Sequence, residues 1–281
     1  MNSSASFIAA VVQMISSPRL EDNLTSAKKL IQQAALQGAN LVVLPENFAL
    51  LGNTLGRQYG CAEELPDAPI RLFLSRCARD YGIWLIGGTT PRVKAIDGIA
   101  EAIAPKTFAA SHAYNPRGEE VGRYDKIHLF DANVKDSVGT YRESDAMAPG
   151  SQIGMVDTEW GALGLSVCYD LRFPEYFRLL QQQGMHFLAV PSAFTYSTGE
   201  AHWEVLLRAR AIENQCYVFA ANQGGWHNGT RRTYGHSCII DPWGTVISVL
   251  PEGEGIALAE INLQFLSDVR KKMPVFEHRK L

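Results

Sequence analysis

Cys168 lies where a predicted strand turns sharply into a predicted helix. Leu163, Leu165 and Val167 alternate with smaller residues, as in a buried strand, and Pro174 fits the first turn of a helix. Strand ends in α/β sheets are common ligand sites, and the free N–H groups at a helix start favour a thiolate. The stretch therefore makes Cys168 a candidate nucleophile, although a free cysteine is also often a small buried core residue.

Glu46 and Lys126, like Cys168, occur where a predicted strand ends or a loop begins. Glu46 ends the apolar strand 41–46, and Lys126 lies in the second arm of a predicted hairpin, 120–129. Chemistry at a cysteine needs an activating base and a group that stabilises the developing negative oxygen. Taken alone, each of the two charged residues also fits a solvated surface position, so both interpretations stay open at this stage.

The elements around these residues alternate strand and helix at both ends of the chain, with hairpins between them. The predicted strands cover residues 7–14, 41–46, 83–88, 107–114, 120–129, 153–156, 163–167, 186–192, 216–221, 236–240, 245–249 and 256–261. The predicted helices cover about 22–37, 68–81, 174–183, 200–214 and 263–272. Residues 48–67, 91–100 and 131–150 are predicted to be loops or turns. An α/β fold, a four-layer α-β-β-α sandwich in which helices cover two mixed sheets, would bury the apolar strands in a single domain, 1–281.

Composition excludes several classes of protein. The chain has 281 residues, 46% hydrophobic and 20% charged, with a net charge of −3, which gives no electrostatic reason to expect nucleic acid or an anionic membrane as partner. No stretch approaches the ~18 apolar residues of a membrane-spanning helix, and the N-terminus lacks the pattern of a signal peptide. Five cysteines without a C-x-x-C pair favour a reducing compartment, the cytoplasm, over a disulfide framework or a zinc site.

Three segments resemble the catalytic blocks of a known enzyme family. They are Leu44-Pro-Glu-Asn47, Tyr124-Asp-Lys-Ile-His-Leu-Phe130 and Cys168-Tyr-Asp-Leu-Arg-Phe-Pro-Glu175. In order and spacing they are similar to the blocks of the nitrilase superfamily, the carbon–nitrogen hydrolases. Segments of the second half resemble the Nit branch of that family: Pro191–Phe194, Ala201–Ala211, Tyr234–Ser237 and Asp241–Gly244. The resemblance covers nearly the whole chain and implies a nitrilase-like sandwich.

The resemblance implies an amidase with a Glu–Lys–Cys triad and without a metal or an organic cofactor. Cys168 would attack the amide carbonyl to form a thioester, and Glu46 would act first as general base and then as general acid. Lys126 and the backbone N–H of Tyr169 would hold the oxyanion, while Glu143 would position Lys126 and the substrate. A lysine between Cys168 and Glu46 is also expected to favour a thiolate.

The Nit branch acts on small amides, and two substrates fit this chain. Deaminated glutathione and α-ketoglutaramate share a keto-acid carboxylate and the scissile carbonyl, but release cysteinyl-glycine and ammonia respectively. The segments within 191–244 are more similar to the enzymes that act on deaminated glutathione. We therefore expect hydrolysis to 2-oxoglutarate and cysteinyl-glycine, a metabolite-repair reaction, with ω-amidase activity on α-ketoglutaramate as the alternative.

The expected substrate requires cations in the pocket. A bidentate arginine suits a carboxylate, and Arg172 is the candidate for the keto acid; its alternative role is a structural ion pair with Asp170 or Glu175. Arginines and a histidine in a predicted loop are candidates for the dipeptide carboxylate, or form a solvated group; they are His227, Arg231 and Arg232. The resemblance also implies a substrate pocket lined by Phe130, Tyr169, Phe194 and Thr195.

Two other interpretations remain open. The chain would be a non-catalytic Nit-like binding partner if it kept the fold without the chemistry, although all three triad residues are present. It would be an acyltransferase if an amine rather than water accepted the acyl group. Phe108-Ala-Ala-Ser111 stands where family members often have an asparagine, which leaves that pocket wall unassigned.

The basic tail, about 269–281, resembles family tails that help to pair subunits, so a homodimer is expected.

Overall fold

The computed structural model describes residues 6–52, 55–93 and 106–280. The strands are β1 Ser6–Gln13, β2 Leu41–Val43, β3 Trp84–Ile86, β4 Thr90–Val93, β5 Thr107–Tyr114, β6 Glu120–Asp125, β7 Asp131–Asn133, β8 Thr140–Arg142, β9 Gly154–Thr158, β10 Gly161–Leu165, β11 Phe187–Ala189, β12 Tyr217–Ala220, β13 Gly224–His227, β14 Arg231–Tyr234, β15 Ser237–Ile240, β16 Val246–Leu250 and β17 Gly255–Asn262. The helices are α1 Leu20–Leu36, α2 Gly56–Ala62, α3 Pro69–Tyr81, α4 Glu143–Ala146, α5 Pro174–Gln182, α6 Tyr196–Asn214 and α7 Leu263–Lys272. A 3-10 helix spans Cys168–Arg172.

The larger strands form two mixed sheets. The first has the order β17-β1-β2-β3-β5-β4, with β6 paired to β5, and the second has the order β16-β15-β12-β11-β10-β9. Each sheet contains a parallel group, β1-β2-β3 in the first and β10-β11-β12 in the second, while its other pairs are antiparallel. β17 runs antiparallel to β1 along the whole of β1, from Ser6 opposite Asn262 to Gln13 opposite Gly255.

The two sheets pack face to face, and helices cover their outer faces. Along β1, Phe7 belongs to the core shared with the second sheet, where its ring lies 5.4 Å from that of Phe187. Ala10, on the other face of β1, packs in the core formed with Ile31 of α1. Helices α1 and α3 lie on the first sheet, and α5 and α6 on the second. The predicted four-layer α-β-β-α sandwich is confirmed.

The predictions of loop structure need correction. Helix α2 lies within 48–67, where glycines suggested a loop; its Gly60 is buried so closely that an added Cβ would lie 3.1 Å from Thr107. Of the predicted turn at 91–100, residues 91–93 belong to β4 and the rest lie outside the described residues. The predicted loop 131–150 contains the β7–β8 hairpin and α4. These elements are too short to give a clear hydrophobic period.

Candidate active site

Glu46, Lys126 and Cys168 meet at one end of the two sheets. Glu46 follows β2 and Cys168 follows β10, so both lie beyond the carboxyl ends of parallel strands, where ligands bind in α/β folds. The Nζ atom of Lys126 lies 2.8 Å from Oε1 of Glu46, and both residues line one pocket with Cys168. The exposed fractions of Glu46 and Lys126 are 4% and 2%, so neither is a solvated surface charge.

Lys126 is a buried cation held by two carboxylates. Its Nζ donates to Oε1 and Oε2 of Glu143 at 3.0 and 2.8 Å, in addition to Glu46. Burial by itself lowers the pKa of a lysine, but the charges of Glu143, Glu46 and Cys168 raise the pKa of Lys126 well above its usual value. Lys126 therefore stays positively charged beside the thiol throughout the neutral pH range.

Glu143 links this cation to the neighbouring chain segment. It is the first residue of α4, and its backbone N–H donates to the carbonyl oxygen of Phe130 at 3.3 Å. In return, the backbone N–H of Phe130 donates to Oε2 of Glu143 at 2.6 Å. The carboxylate thus joins Lys126 to both ends of the segment 130–143, which is the place that the resemblance assigns to the supporting glutamate.

Cys168 has a backbone conformation that is rare for a residue with a side chain. Its φ is 47°, in the left-handed region, and its N–H donates to the carbonyl oxygen of Pro191 at 2.9 Å. Such strained residues persist where the surrounding structure holds them, often at functional sites. The turn ends β10 and starts the 3-10 helix, as the sequence predicted for a strand that changes sharply into a helix.

The environment of the Cys168 thiol favours its protonated form. Burial and the negative charge of Glu46 raise the pKa of Cys168 well above its usual value, although Lys126 and the backbone N–H of Ala193 act in the opposite direction. The expected thiolate is therefore not the resting form. A thiol with a raised pKa needs a base nearby, and Glu46 lines the same pocket as Cys168.

Asp170 is a residue whose importance the sequence did not reveal. Its Oδ2 accepts hydrogen bonds from the N–H of Val167 at 2.8 Å and from the hydroxyl of Tyr124 at 2.7 Å. Its Oδ1 lies 2.7 Å from Nδ1 of His128. Asp170 thereby ties the turn that carries the nucleophile to the segment that carries Lys126. The fully buried carboxylate binds partners more than 40 residues away along the chain, and no local pattern signals such contacts.

Two connected pockets meet at Cys168. The larger, of about 320 Å³, is lined among others by Glu46, Lys126, Phe130, Tyr141, Glu143 and Arg231. The smaller is lined by Phe130, Tyr169, Arg172, Ala193, Phe194, Thr195 and Thr198. A further cavity of about 190 Å³ shares Asn47 and Arg231 with the larger pocket, and its wall includes Ala109. The structure thus brings most of the predicted pocket residues to the nucleophile.

Arg172 points its charge into the smaller pocket. Its guanidinium lies 5.4 Å from the ring centre of Phe194 and 6.0 Å from that of Tyr169, and Nη1 lies 3.2 Å from Nδ1 of His202. Among the described residues it forms no ion pair with a carboxylate, so the alternative of a structural pair with Asp170 or Glu175 does not hold. Its charge remains available to an anion in the pocket.

The two arginines that follow residue 230 lie on opposite faces of a hairpin, not in a loop. β13 pairs with β14, and successive side chains of a strand point to opposite sides. Arg231 lines the larger pocket, donates to the carbonyl oxygen of Ala193 at 3.3 Å and lies 5.7 Å from the Tyr141 ring centre. Arg232 lies 3.7 Å from the ring centre of Tyr196, and the structure does not bring it to the pockets around Cys168.

His227 is turned inward, away from the position expected for a substrate-binding cation. It is buried, with Nδ1 2.8 Å from the carbonyl oxygen of Ser16 and Nε2 2.7 Å from Oγ1 of Thr233. Burial lowers its pKa, which favours the neutral ring. Both ring nitrogens have partners within the protein, so His227 has a structural role in the hairpin.

The other four cysteines do not belong to this site. All five thiols are free; Cys61 is exposed, and Cys77, Cys216 and Cys238 are buried like Cys168.

Within the described ranges, no group of three or more His, Cys, Asp and Glu side chains has the arrangement of a metal site. None of the helices in the same ranges is long and apolar enough to cross a membrane.

Comparison with known proteins agrees with this geometry. The model of the carbon-nitrogen hydrolase family matches residues 8–271. A deaminated glutathione amidase of Synechocystis sp. is 44% identical over 280 residues, which are 97% of this chain and 98% of that protein. A deaminated glutathione amidase of Yersinia enterocolitica is 41% identical over 271 residues, which are 96% of this chain and 92% of that protein.

Solved structures have the same architecture. The Caenorhabditis elegans NitFhit protein superposes with a TM-score of 0.87 at 38% identity, over 98% of this chain but only 65% of that longer chain. A mutant of an amidase of Nesterenkonia sp., in which glutamine replaces one glutamate, superposes with a TM-score of 0.75 at 25% identity, over 96% of this chain and 99% of that one. In that structure, acrylamide has added to the active-site cysteine. This chain therefore belongs to the carbon-nitrogen hydrolase family, the nitrilase superfamily, and to its Nit branch.

Proposed function

We propose that this chain is an amidase that hydrolyses deaminated glutathione to 2-oxoglutarate and cysteinyl-glycine. The observation that carries the proposal is the position of Cys168, which lies beside Glu46 and Lys126 and lines two pockets, one with Arg172 and the other with Arg142 and Arg231. Relatives of nearly the same length that bear the name deaminated glutathione amidase support the choice of substrate. The presence of the whole triad argues against a non-catalytic binding partner.

In the proposed first half of the reaction, Glu46 takes the proton from Cys168 as Sγ attacks the amide carbonyl carbon. The carbonyl oxygen becomes an oxyanion, which Lys126 and the backbone N–H of Tyr169 stabilise. Collapse of this tetrahedral intermediate breaks the C–N bond, and Glu46 gives its proton to the leaving nitrogen. The products of this half are a thioester on Cys168 and free cysteinyl-glycine.

In the proposed second half, water takes the place of the leaving amine. Glu46 removes a proton from the water as its oxygen attacks the thioester, and Lys126 again stabilises the oxyanion. The C–S bond then breaks, the sulfur of Cys168 regains the proton from Glu46, and 2-oxoglutarate leaves. Glu143 keeps Lys126 oriented throughout, through its two hydrogen bonds to Nζ.

Two arginines account for the two ends of the proposed substrate. Arg172, in the smaller pocket, would bind the keto-acid carboxylate that both candidate substrates contain. Arg231, in the larger pocket, would bind the glycine carboxylate of the leaving dipeptide, which α-ketoglutaramate lacks. A cation on the side of the leaving group therefore favours deaminated glutathione over the ω-amidase substrate.

The proposal is tested by measuring kcat/KM of the purified protein on deaminated glutathione and on α-ketoglutaramate. We expect deaminated glutathione to be preferred by about 100-fold or more, which corresponds to roughly 2.7 kcal/mol of transition-state discrimination. A preference for α-ketoglutaramate would replace the proposal with an ω-amidase. Release of a hydroxamate in the presence of hydroxylamine, at the expense of 2-oxoglutarate, would instead indicate an acyltransferase.

The substitution Arg231→Gln is expected to raise KM for deaminated glutathione about 10- to 100-fold, since a charge-assisted hydrogen bond contributes roughly 1.5–3 kcal/mol. KM for α-ketoglutaramate should change less than about threefold because that substrate has no second carboxylate. Arg232→Gln is the matched control, since Arg232 is the neighbouring arginine on the opposite face. Equal effects of the two substitutions would contradict the assignment of Arg231.

We further propose that residues 1–281 form one catalytic domain and that the chain is a cytoplasmic homodimer in which the tail 269–281 helps to pair subunits. Large apolar side chains exposed on α5 and α6, among them Leu179 and Val205, support an interface. Five free thiols support a reducing compartment. Sedimentation velocity should give the mass of a dimer rather than 31.0 kDa.

A further inference from the structure

We propose that Gln223 is the positioning residue that holds Glu46 within reach of the Cys168 thiol. The inference rests on the proposed function, in which Glu46 moves a proton in both halves of the reaction. Gln223 follows β12 of the second sheet, whereas Glu46 follows β2 of the first. One side chain would therefore fix the general base, which comes from one sheet, relative to the nucleophile, which comes from the other.

The side-chain amide of Gln223 is fully buried and uses all of its N–H groups. Its Nε2 donates to the backbone carbonyl oxygen of Glu46 at 3.0 Å and to Oγ of Ser16 at 2.8 Å. Its Oε1 accepts a hydrogen bond from the backbone N–H of Ser16 at 3.0 Å. A buried amide with every partner in place has a single orientation, because any rotation would leave polar groups unpaired.

The chain around Glu46 is in a conformation that needs such support. Asn47 has a φ of 57°, in the left-handed region, and its N–H donates to Oγ1 of Thr89 at 2.8 Å. Ser16, which Gln223 binds, donates through Oγ to the carbonyl oxygen of Phe48 at 2.9 Å. Gln223 and Ser16 thus hold the backbone on both sides of the strained residue. Strained turns persist only where several contacts fix them.

The backbone of Gln223 is joined to the nucleophile side of the site. Its N–H donates to the carbonyl oxygen of Ser192 at 3.0 Å, next to Ala193, which lines both pockets together with Cys168. The preceding residue, Asn222, accepts the N–H of Phe194 at 3.0 Å. Gln223 therefore binds the segment of the general base through its side chain and the segment beside the nucleophile through its backbone.

Loss of this contact should affect chemistry more than binding. A misplacement of about 1 Å in a catalytic group can cost roughly 100-fold in rate. Neither Arg172 nor Arg231, the proposed substrate-binding cations, has a hydrogen bond to Gln223 among those of the described residues. We therefore expect Gln223→Met, which keeps the volume but removes the hydrogen bonds, to lower kcat by about 10- to 100-fold while KM changes less than about threefold.

Gln13→Met is the matched control. Gln13 is also a fully buried glutamine, with Nε2 donating to the carbonyl oxygen of Gly253 and Oε1 accepting from the N–H of Ser237, both at 2.9 Å. Within the described residues its side chain has no hydrogen bond to Glu46, so its loss should lower thermal stability without lowering kcat. An equal loss of kcat in the two variants would overturn the proposal, because the effect would then be general destabilisation.

Two further measurements test the role of Gln223, one with another variant and one without a substrate. If Gln223→Met does not fold, Ser16→Ala removes one partner of the amide, and an unchanged kcat in that variant would overturn the proposal. The rate of Cys168 alkylation by iodoacetamide does not depend on the substrate; a displaced Glu46 charge should increase it in Gln223→Met or Ser16→Ala and not in Gln13→Met. If the wild type hydrolyses neither amide, the proposed function fails. Separately, if Cys168 is alkylated at the same rate in Gln223→Met as in Gln13→Met, the role of Gln223 is overturned.

Discussion

Replacement of Cys168 by alanine is expected to lower kcat for amide hydrolysis by at least about 10⁴-fold, since removal of a nucleophile from a catalytic unit typically costs this much or more. The variant has no sulfur with which to form the thioester, and neither Lys126 nor Glu46 can replace the nucleophile. Release of 2-oxoglutarate, measured against the wild type, gives the magnitude. The smaller side chain fits the buried position, so a cooperative thermal unfolding transition should remain.

The control for this prediction is Cys238→Ala. Cys238 is a free cysteine buried in β15, and its substitution removes a thiol of the same size from the core without touching the site. Its kcat should stay within about twofold of the wild type, as expected for a core change that leaves the fold intact. Turnover retained by Cys168→Ala, in a sample free of wild-type enzyme, would rule out the covalent mechanism.

Substitution of Glu46 by glutamine is expected to have opposite effects on turnover and on the reactivity of the thiol. Loss of general acid–base catalysis should lower kcat by about 10²- to 10⁴-fold. The rate of Cys168 alkylation by iodoacetamide should increase at the same time. Burial is the largest cause of the raised thiol pKa and remains in the variant, but the Glu46 charge also raises that pKa and is removed, while Lys126 still lowers it.

The sign of the second effect follows from the titration of a thiol. At a pH below its pKa, each unit by which the pKa falls increases the thiolate fraction about tenfold. Alkylation rates measured by mass spectrometry between about pH 7 and 9 should therefore lie above those of the wild type. Glu64→Gln, which removes a carboxylate paired with Arg92 at 2.7 Å, is the control. Slower alkylation in Glu46→Gln would mean that Glu46 acts mainly as a proton acceptor for the resting thiol.

The sequence predicted those parts of the molecule that depend on local pattern. The apolar run of β1 indicated a strand buried on both faces, and the alternation before Cys168 indicated a strand that ends at the nucleophile; both are confirmed. Glu46 and Lys126 gained their significance from the resemblance, because each alone fits an exposed charge. Burial of both residues beside Cys168 is a property of the assembled sheets, which no single stretch encodes.

The contacts that tune the site could not be predicted in this way. Asp170 and Gln223 bind groups that are 46 and 177 residues away in the chain, and hydrophobic periodicity carries no information on such pairs. Arg231 and Arg232 were expected to act together because they are adjacent in a presumed loop. In the structure they belong to a strand, where adjacent residues necessarily face opposite sides, and only Arg231 reaches the pocket.

The pairing of β1 with β17 joins two segments that are far apart in the chain. The second sheet is built from residues 154–250, so it can form before β17 has left the ribosome. The outer edge of β1 stays unpaired until Gly255–Asn262 has been made, and forming such a distant contact is slow. A chain that stops before this strand would expose the edge of β1, which invites pairing with other molecules. The first sheet is thus complete only when β17 pairs with β1.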